Sequence, residues 1–213
     1  PDGAPRLALT SDLAGMSMSL DSLGWSKPAG ATGGFELNAV LGEVPDVQGF
    51  ALSAPGLSLE GTIELGAGGA FERAVLDGVR VGNWLDGTVE IAARAPGQTP
   101  AIRVTEGRMD VRRLPDGGSG PGDGAPIEIS LNELVISDGI SLSPLQGTFS
   151  RGRAGLSGDF VARVNGGTPV KGTLAPANAG TAIRIQSNDA GGVIRDAGLT
   201  PNARDGLMDL VLT

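Results

Sequence analysis

Leu57-Ser58-Leu59-Glu60-Gly61-Thr62-Ile63-Glu64-Leu65 is the stretch that decides the fold. In an extended chain Leu57, Leu59, Gly61, Ile63 and Leu65 share one side, and Ser58, Glu60, Thr62 and Glu64 share the other. That is the period of a strand with one dry and one wet face. The same alternation spreads in both directions. Phe35, Leu37, Ala39 and Leu41 oppose Glu36 and Asn38, and Val89, Ile91 and Ala93 oppose Thr88 and Glu90. Farther on, Ile102 and Val104 oppose Arg103, Met109 and Val111 oppose Asp110 and Arg112, and Ile127, Ile129 and Leu131 oppose Glu128, Ser130 and Asn132. Ile183 and Ile185 flank Arg184 in the same way.

Turn signals separate these runs: residues 30–34 and 66–69, Asp77-Gly78, Asp86-Gly87, Asp138-Gly139 and Asn165-Gly166-Gly167. Asp-Gly and Asn-Gly pairs tolerate φ > 0 and so favour tight hairpins. The pattern predicts an all-β chain built as a long, twisted, mostly antiparallel meander. No fixed-length repeat and no calcium-binding nonapeptide pattern are visible.

Residues 115–126, rich in Gly and Pro, have no apolar face and predict a loop or insertion. It divides an N-terminal β block, residues 1–114, from a C-terminal β block, residues 127–213, of the same strand character, so the chain reads as one sheet interrupted once. One short helix is expected near residues 189–197. Ser187-Asn188-Asp189 offers capping oxygens, Gly198 suits the helix end, and Val193, Ile194 and Ala197 would form its buried side. Such a helix would cover one end of an apolar interior. Residues 206–213 read as a strand with no turn or charge cluster after it, an edge that proteins normally blunt. The expectation is a fragment of a longer protein whose sheet continues, with Met208, Leu210 and Leu212 extending its apolar face.

Composition narrows the chemistry. The 213 residues contain no His and no Cys, which removes a cysteine nucleophile, a Ser-His-Asp relay, thiolate or imidazole zinc sites and the usual haem ligands. The net charge of −8 disfavours nucleic acid, which demands a clustered basic surface. No apolar run approaches the roughly 20 residues of a membrane span. Carboxylates at Asp86, Asp110, Asp138, Asp159, Asp189, Asp196, Asp205 and Asp209 sit mostly at turns or on wet faces, the ordinary place for Asp. Gly117-Gly118-Ser119-Gly120 lacks the Lys of a phosphate loop. No enzyme activity, cofactor or metal is expected.

The run from Gly180 to Leu199, centred on Ser187-Asn188-Asp189-Ala190-Gly191-Gly192, followed by Asp205-Gly206-Leu207-Met208-Asp209-Leu210, resembles the strand, "DAG" turn, short helix and strand of the AsmA-like superfamily, more narrowly its YhdP-like branch in Gram-negative bacteria. Leu23-Gly24-Trp25-Ser26-Lys27-Pro28 and Glu106-Gly107-Arg108-Met109-Asp110 are similar to recurring stations of the same large proteins. The resemblance implies a sheet curled into an open apolar groove, β-taco-like, in a periplasmic protein anchored in the inner membrane. It further implies a segment of a bridge-like lipid transport protein that moves phospholipid between inner and outer membranes. The partners are then phospholipid acyl chains, adjacent segments of the same chain and the two membranes.

On that resemblance the lipid-binding lining comprises Leu37, Leu57, Leu59, Ile63, Leu65, Val89 and Ile91 in the N-terminal strands, with Ile102, Val104, Met109 and Val111 after them. Ile127, Ile129, Leu131, Ile183, Ile185, Met208, Leu210 and Leu212 complete it. A strand of about 5–6 residues spans roughly 17–20 Å, comparable with a leaflet of a hydrocarbon core about 30 Å thick. Exposing about thirty methylenes of a two-chain lipid to water would cost about 24 kcal/mol, which a continuous apolar track avoids. The plain alternative for an alternating face is a sealed sandwich core. A structural or adhesive β-solenoid of a surface protein, or an outer-membrane assembly factor acting by strand addition, would use the same strands.

Three smaller groups carry two readings each. Met16, Met18 and Leu20 form either an adaptable stripe or simple core. Trp25 and Trp84 sit either at a groove rim or as buried anchors whose N–H finds a carbonyl. Arg151 and Arg153 either meet a phosphate headgroup at the rim or are solvated.

Overall fold

A computed structural model of the chain describes residues 4–20, 23–114, 125–177 and 180–213. Among the described residues the chain is all-β with one short α-helix. It divides into two compact units, Pro1–Ala101 with Leu114–Gly120, and Ile102–Arg113 with Pro121–Thr213. The Gly/Pro-rich stretch expected at 115–126 lies outside the described residues except for its last two, and Pro126 already belongs to a strand.

In the first unit β1 (Arg6–Ser11), β4 (Gly34–Val40), β5 (Asp46–Ala54), β6 (Leu57–Leu65), β7 (Phe71–Val81) and β8 (Leu85–Ala92) pair in that order, every pair antiparallel. A separate hairpin joins β2 (Met18–Leu20) to β3 (Trp25–Lys27). Directly paired residues share a face, so register converts the alternation of each strand into rows across the sheet. One row runs Leu9, Leu37, Phe50, Gly61, Leu76, Val89.

The second unit begins with β9 (Ala101–Asp110), which the sequence pattern assigns to the N-terminal block. It belongs here because it pairs in parallel with β10 (Pro126–Leu131) and β11 (Glu133–Ser137). These two strands form one line broken at Asn132. There the ladder is repaired locally: Asn132 N donates to Gly107 O at 2.9 Å, and Gly107 N donates to Asn132 Oδ1 at 2.8 Å. An antiparallel series follows through β12 (Ile140–Gly152), β13 (Gly155–Val164), β14 (Pro169–Ala177), β15 (Gly180–Ser187) and β16 (Met208–Leu212), with the helix α1 (Ala190–Asp196) between the last two strands. The parallel pairs are a departure from a pure meander. Within each unit the sequence-adjacent strands from β4 to β8 and from β12 to β16 pair antiparallel.

The second unit repeats the row arrangement. Val104, Ile129, Gly147, Phe160, Gly172, Ile185 and Leu210 lie side by side across seven strands, and Ile102, Ile127, Phe149, Gly158, Leu174, Ile183 and Leu212 form the neighbouring row. Glycine has a packing role in the first of these. The ring of Phe160 lies over the backbone of Gly172, where a Cβ would sit 2.0 Å from two ring carbons.

Candidate functional site

The candidate site is the apolar sheet face of each unit. In the first unit it is most buried at the end holding the β5–β6 and β7–β8 turns, where Leu57 and Val81 are 3% and 2% exposed. The Trp25–Lys27 strand closes this end. The indole Nε1 of Trp25 donates to the carbonyl of Pro55 at 2.8 Å in the β5–β6 turn, and Gly56 O accepts from Gly82 N at 2.7 Å to tie the two turns together. Trp25 is therefore a buried anchor; Trp84 is half-buried.

Lys27, to which the sequence pattern assigned no role, is buried with its ammonium caged by carbonyls. Nζ donates to Leu13 O and Met16 O, each at 2.8 Å, and to Pro28 O at 3.4 Å. The Gly-Trp-Ser-Lys-Pro run is thus a local clamp: its two inward residues seat one on the sheet turn and one in the loop carrying Leu13 and Met16. Met16 and Leu20 are exposed and Met18 is half-buried, so they form no core stripe.

In the second unit the closed end is made by α1. Leu142, Leu145, Phe160, Ala162, Val164 and Val170 form the buried cluster, and Val193 and Ala197 of the helix region pack on it together with Met208. The helix is one residue shorter at each end than expected, and Ile194 is not among the residues packed on that cluster.

The Asp-Ala-Gly-Gly motif explains how so short a helix holds its place. Asp189 accepts from Gly192 N at 2.7 Å as the N-cap. The N–H groups of Ala190 and Gly191 donate to Gly206 O and Asp205 O at 2.8 and 2.9 Å. A Cβ on Gly191 would lie 2.4 Å from the Arg204 backbone, and one on Gly192 would lie 2.3 Å from Thr168 Oγ1. At the other helix end Asp196 Oδ2 accepts from Thr168 N at 2.5 Å, and Asn165 Nδ2 donates to Asp196 O at 2.6 Å. These bonds from Thr168 hold the Asp196 carboxyl below its ordinary pKa.

The proposed lining residues distribute unevenly over these faces. Leu57, Val89, Val104 and Leu131 are buried, and Ile102, Leu210 and Leu212 are exposed. Leu37, Leu59, Ile63, Leu65, Ile91, Met109, Ile127, Ile129, Ile183, Ile185 and Met208 are half-buried on the apolar faces. Val111 departs from expectation, because β9 ends at Asp110 and residues Val111–Arg113 form a 3-10 turn. Met109 stays on the apolar face by pairing with Leu134, itself opposite Leu142, after the alternation slips at Gly107, whose φ is +127°. The sequence pattern missed Leu142, Leu145, Leu76 and Val79.

The opposite faces are laced by cross-strand ion pairs. Arg73 meets Glu90 at 3.0 Å and Arg80 meets Asp86 at 3.1 Å in the first unit. In the second, Arg103–Glu128 and Arg108–Glu133 close at 2.7 Å, and Arg184 grips Asp209, which lowers the Asp209 pKa and raises that of Arg184. Exposed pairs of this kind add little to stability, because water and salt screen them. Two concavities of about 830 and 820 Å³ in the second unit lie on this polar side, sharing Gln146, Val161, Lys171 and Gln186.

Asp110 is the buried exception. It accepts from Arg112 Nε at 2.7 Å and Nη2 at 2.6 Å and lies 3.3 Å from Arg113, while Arg112 also reaches Asp138. The Arg112 hydrogen bond lowers its pKa to about 2. Among the described residues no group of three or more acidic side chains is placed to hold a metal ion, and no helix is long and apolar enough to cross a membrane.

Fold and site together define an all-β protein in which each unit presents one capped but incompletely covered apolar sheet face. Comparison with protein-family models, with curated proteins and with solved structures gives no match.

Proposed function

We propose that this chain is a segment of a bridge-like intermembrane lipid transport protein, resembling the YhdP-like branch of the AsmA-like superfamily. Its apolar faces line an open groove that shields phospholipid acyl chains in the periplasm. The observation that carries this is the state of those faces. They run unbroken across six strands in one unit and seven in the other, and Leu59, Ile63, Ile127, Ile129, Ile183 and Ile185 keep part of their surface in solvent. A sealed core would hold such residues nearly fully buried. The ion-paired opposite faces suit water, which gives each sheet the two-sidedness that a lipid lining demands.

Photocrosslinking tests it. A photoreactive residue placed at Leu59, Ile129 or Ile185 should capture labelled phospholipid in Gram-negative cells, and one at Glu60, Glu128 or Arg184 should not. Equal labelling of the two sets, or none at the apolar positions, refutes the lining.

A further inference from the structure

We propose that the polar face of the second unit carries a binding site for a phosphate monoester, with Arg163 and Lys171 on the phosphate and Val161 and Leu207 against the body that bears it. The site lies on the side of the sheet opposite to the lining and does not depend on it.

Register builds the site. Gln146, Val161, Lys171, Gln186 and Asp209 form a row across the strands from β12 to β16, and Arg163 follows Val161 by two residues, so it shares their face. Arg163 pairs with Pro169 and is therefore a diagonal neighbour of Lys171, a backbone separation of about 7–8 Å that long side chains bridge. Both cations line the concavity of about 820 Å³, together with Asn188 and Leu207. That volume lies within the roughly 300–1,000 Å³ of small-molecule sites. Leu207 and Val161, 82% and 49% exposed, are apolar side chains in a polar hollow, and a ligand body that covers them adds apolar burial to the phosphate contacts.

Most charges around this hollow are matched. Arg103 meets Glu128 at 2.7 Å, and Arg184 donates to Asp209 at 2.8 Å. Asp189, which also lines the concavity, accepts from Gly192 N at 2.7 Å and lies 3.8 Å from Arg195. Arg163 and Lys171 differ. Among the described residues neither has a carboxylate oxygen within 4.0 Å, and Arg163 is held only by its bond to the carbonyl of Gly167 at 2.6 Å. The amides of Gln146 and Asn188 likewise have no hydrogen bond among the described residues and supply further donors. Two cations with amide donors beside them match a phosphate dianion, whose charge and acceptor oxygens exceed those of a carboxylate. The opposing charge is Asp159, two residues before Val161 on the same face, whose carboxylate accepts from Thr173 Oγ1 at 3.0 Å and meets no cation.

The test is an NMR titration of the full chain with phenyl phosphate, inorganic phosphate, benzoate and dihexanoyl phosphatidic acid. Phenyl phosphate should give saturable amide shifts centred on Gln146, Arg163, Lys171, Gln186 and Asn188, and should bind more tightly than inorganic phosphate or benzoate. Lys171→Gln, which breaks no contact of the native chain, should weaken binding about three- to tenfold, since charged hydrogen bonds at exposed sites are modest. Lys171→Arg should retain binding, Asp159→Asn should tighten it, and Leu207→Ser should narrow the advantage of phenyl phosphate over inorganic phosphate. Phosphatidic acid bound as tightly as phenyl phosphate identifies a lipid as the source of the phosphate, and its exclusion identifies a soluble ester; both outcomes support the site. Inorganic phosphate bound as tightly as phenyl phosphate would show an adventitious ion only, and benzoate bound as tightly would remove the phosphate preference. Either result, an unchanged affinity in Lys171→Gln, or no saturable shift at all overturns the proposal. Phospholipid capture at Leu59, Ile129 or Ile185 is a separate measurement, so this site and the lining stand or fall independently.

Discussion

Replacing Lys27 by Met removes a buried ammonium while retaining most of the apolar stem that packs beneath it. Two carbonyls, Leu13 O and Met16 O, each lose a donor 2.8 Å away. A hydrogen bond from a charged donor contributes about 1.5–3 kcal/mol net, and a buried acceptor left unpaired costs about 1–3 kcal/mol. Against this, the variant no longer desolvates a cation, which returns part of the loss. The net expectation is a destabilisation of about 2–4 kcal/mol. The chain's two tryptophans, Trp25 and Trp84, both lie in the first unit, so fluorescence reports on that unit without interference from the second. With Trp84→Phe as background, urea unfolding should show the midpoint falling by roughly 1–2 M for a slope of about 2 kcal/mol/M, together with a red-shifted Trp25 emission before the transition. An unchanged midpoint with emission still blue would show that the carbonyl cage does not hold the cap, and the account of the Gly-Trp-Ser-Lys-Pro run would fall with it.

Two further outcomes test the second unit. Gly191→Ala places a methyl group 2.4 Å from the Arg204 backbone, so residues 204–206 should be driven off α1; hydrogen exchange at Ala190 and Gly191 should rise sharply, and protection equal to the native chain contradicts that packing. Asp110 has its folded pKa lowered to about 2 from an ordinary 3.8, so its contribution is complete above about pH 4 and is lost as pH falls through about 2. Asp110→Asn should therefore be less stable than the native chain at pH 7, with the gap closing between about pH 4 and pH 2; a gap independent of pH would show that the Arg112 contact is not what stabilises Asp110 as an anion.

The sequence by itself determined the strand character, the two-faced sheets and the position of the helix. These follow from local chemistry: alternation of apolar and polar side chains, the Asp138-Gly139 and Asn165-Gly166 turns, and an Asp that caps free N–H groups; Asp77-Gly78 and Asp86-Gly87, expected as turns, lie instead inside β7 and β8. In runs without bulges, such as Ile127 to Leu131 and Ile183 to Ile185, the face assignment read from alternation matches the register. It failed where the ladder is irregular. Leu142 and Leu145 are both buried although three residues apart, because the register shifts between them, and Leu76 and Val79 repeat the arrangement in the first unit. A bulge inserts one residue and reverses the alternation after it; Gly78 and Pro144 stand within these two bulges, residue types that mark irregular strand positions, but a count of alternating apolar residues does not register them.

The sequence placed a helix over one end of an apolar interior, and the tertiary structure decided the rest of the closure. The closure by Trp25 and Lys27 runs through carbonyls of Pro55, Leu13 and Met16, which as backbone groups leave no mark on the sequence. Likewise the placement of β9 beside β10 and β11 rests on a parallel pairing that no turn signal encodes, since its connection is not a hairpin. Gly172, Gly191 and Gly192 look like ordinary turn or strand glycines until the Phe160 ring, the Arg204 backbone and the Thr168 hydroxyl are seen against them. Long-range approach of one segment to another is the information that a local pattern does not contain, and in this protein that approach sets where each apolar face is covered and where it remains open.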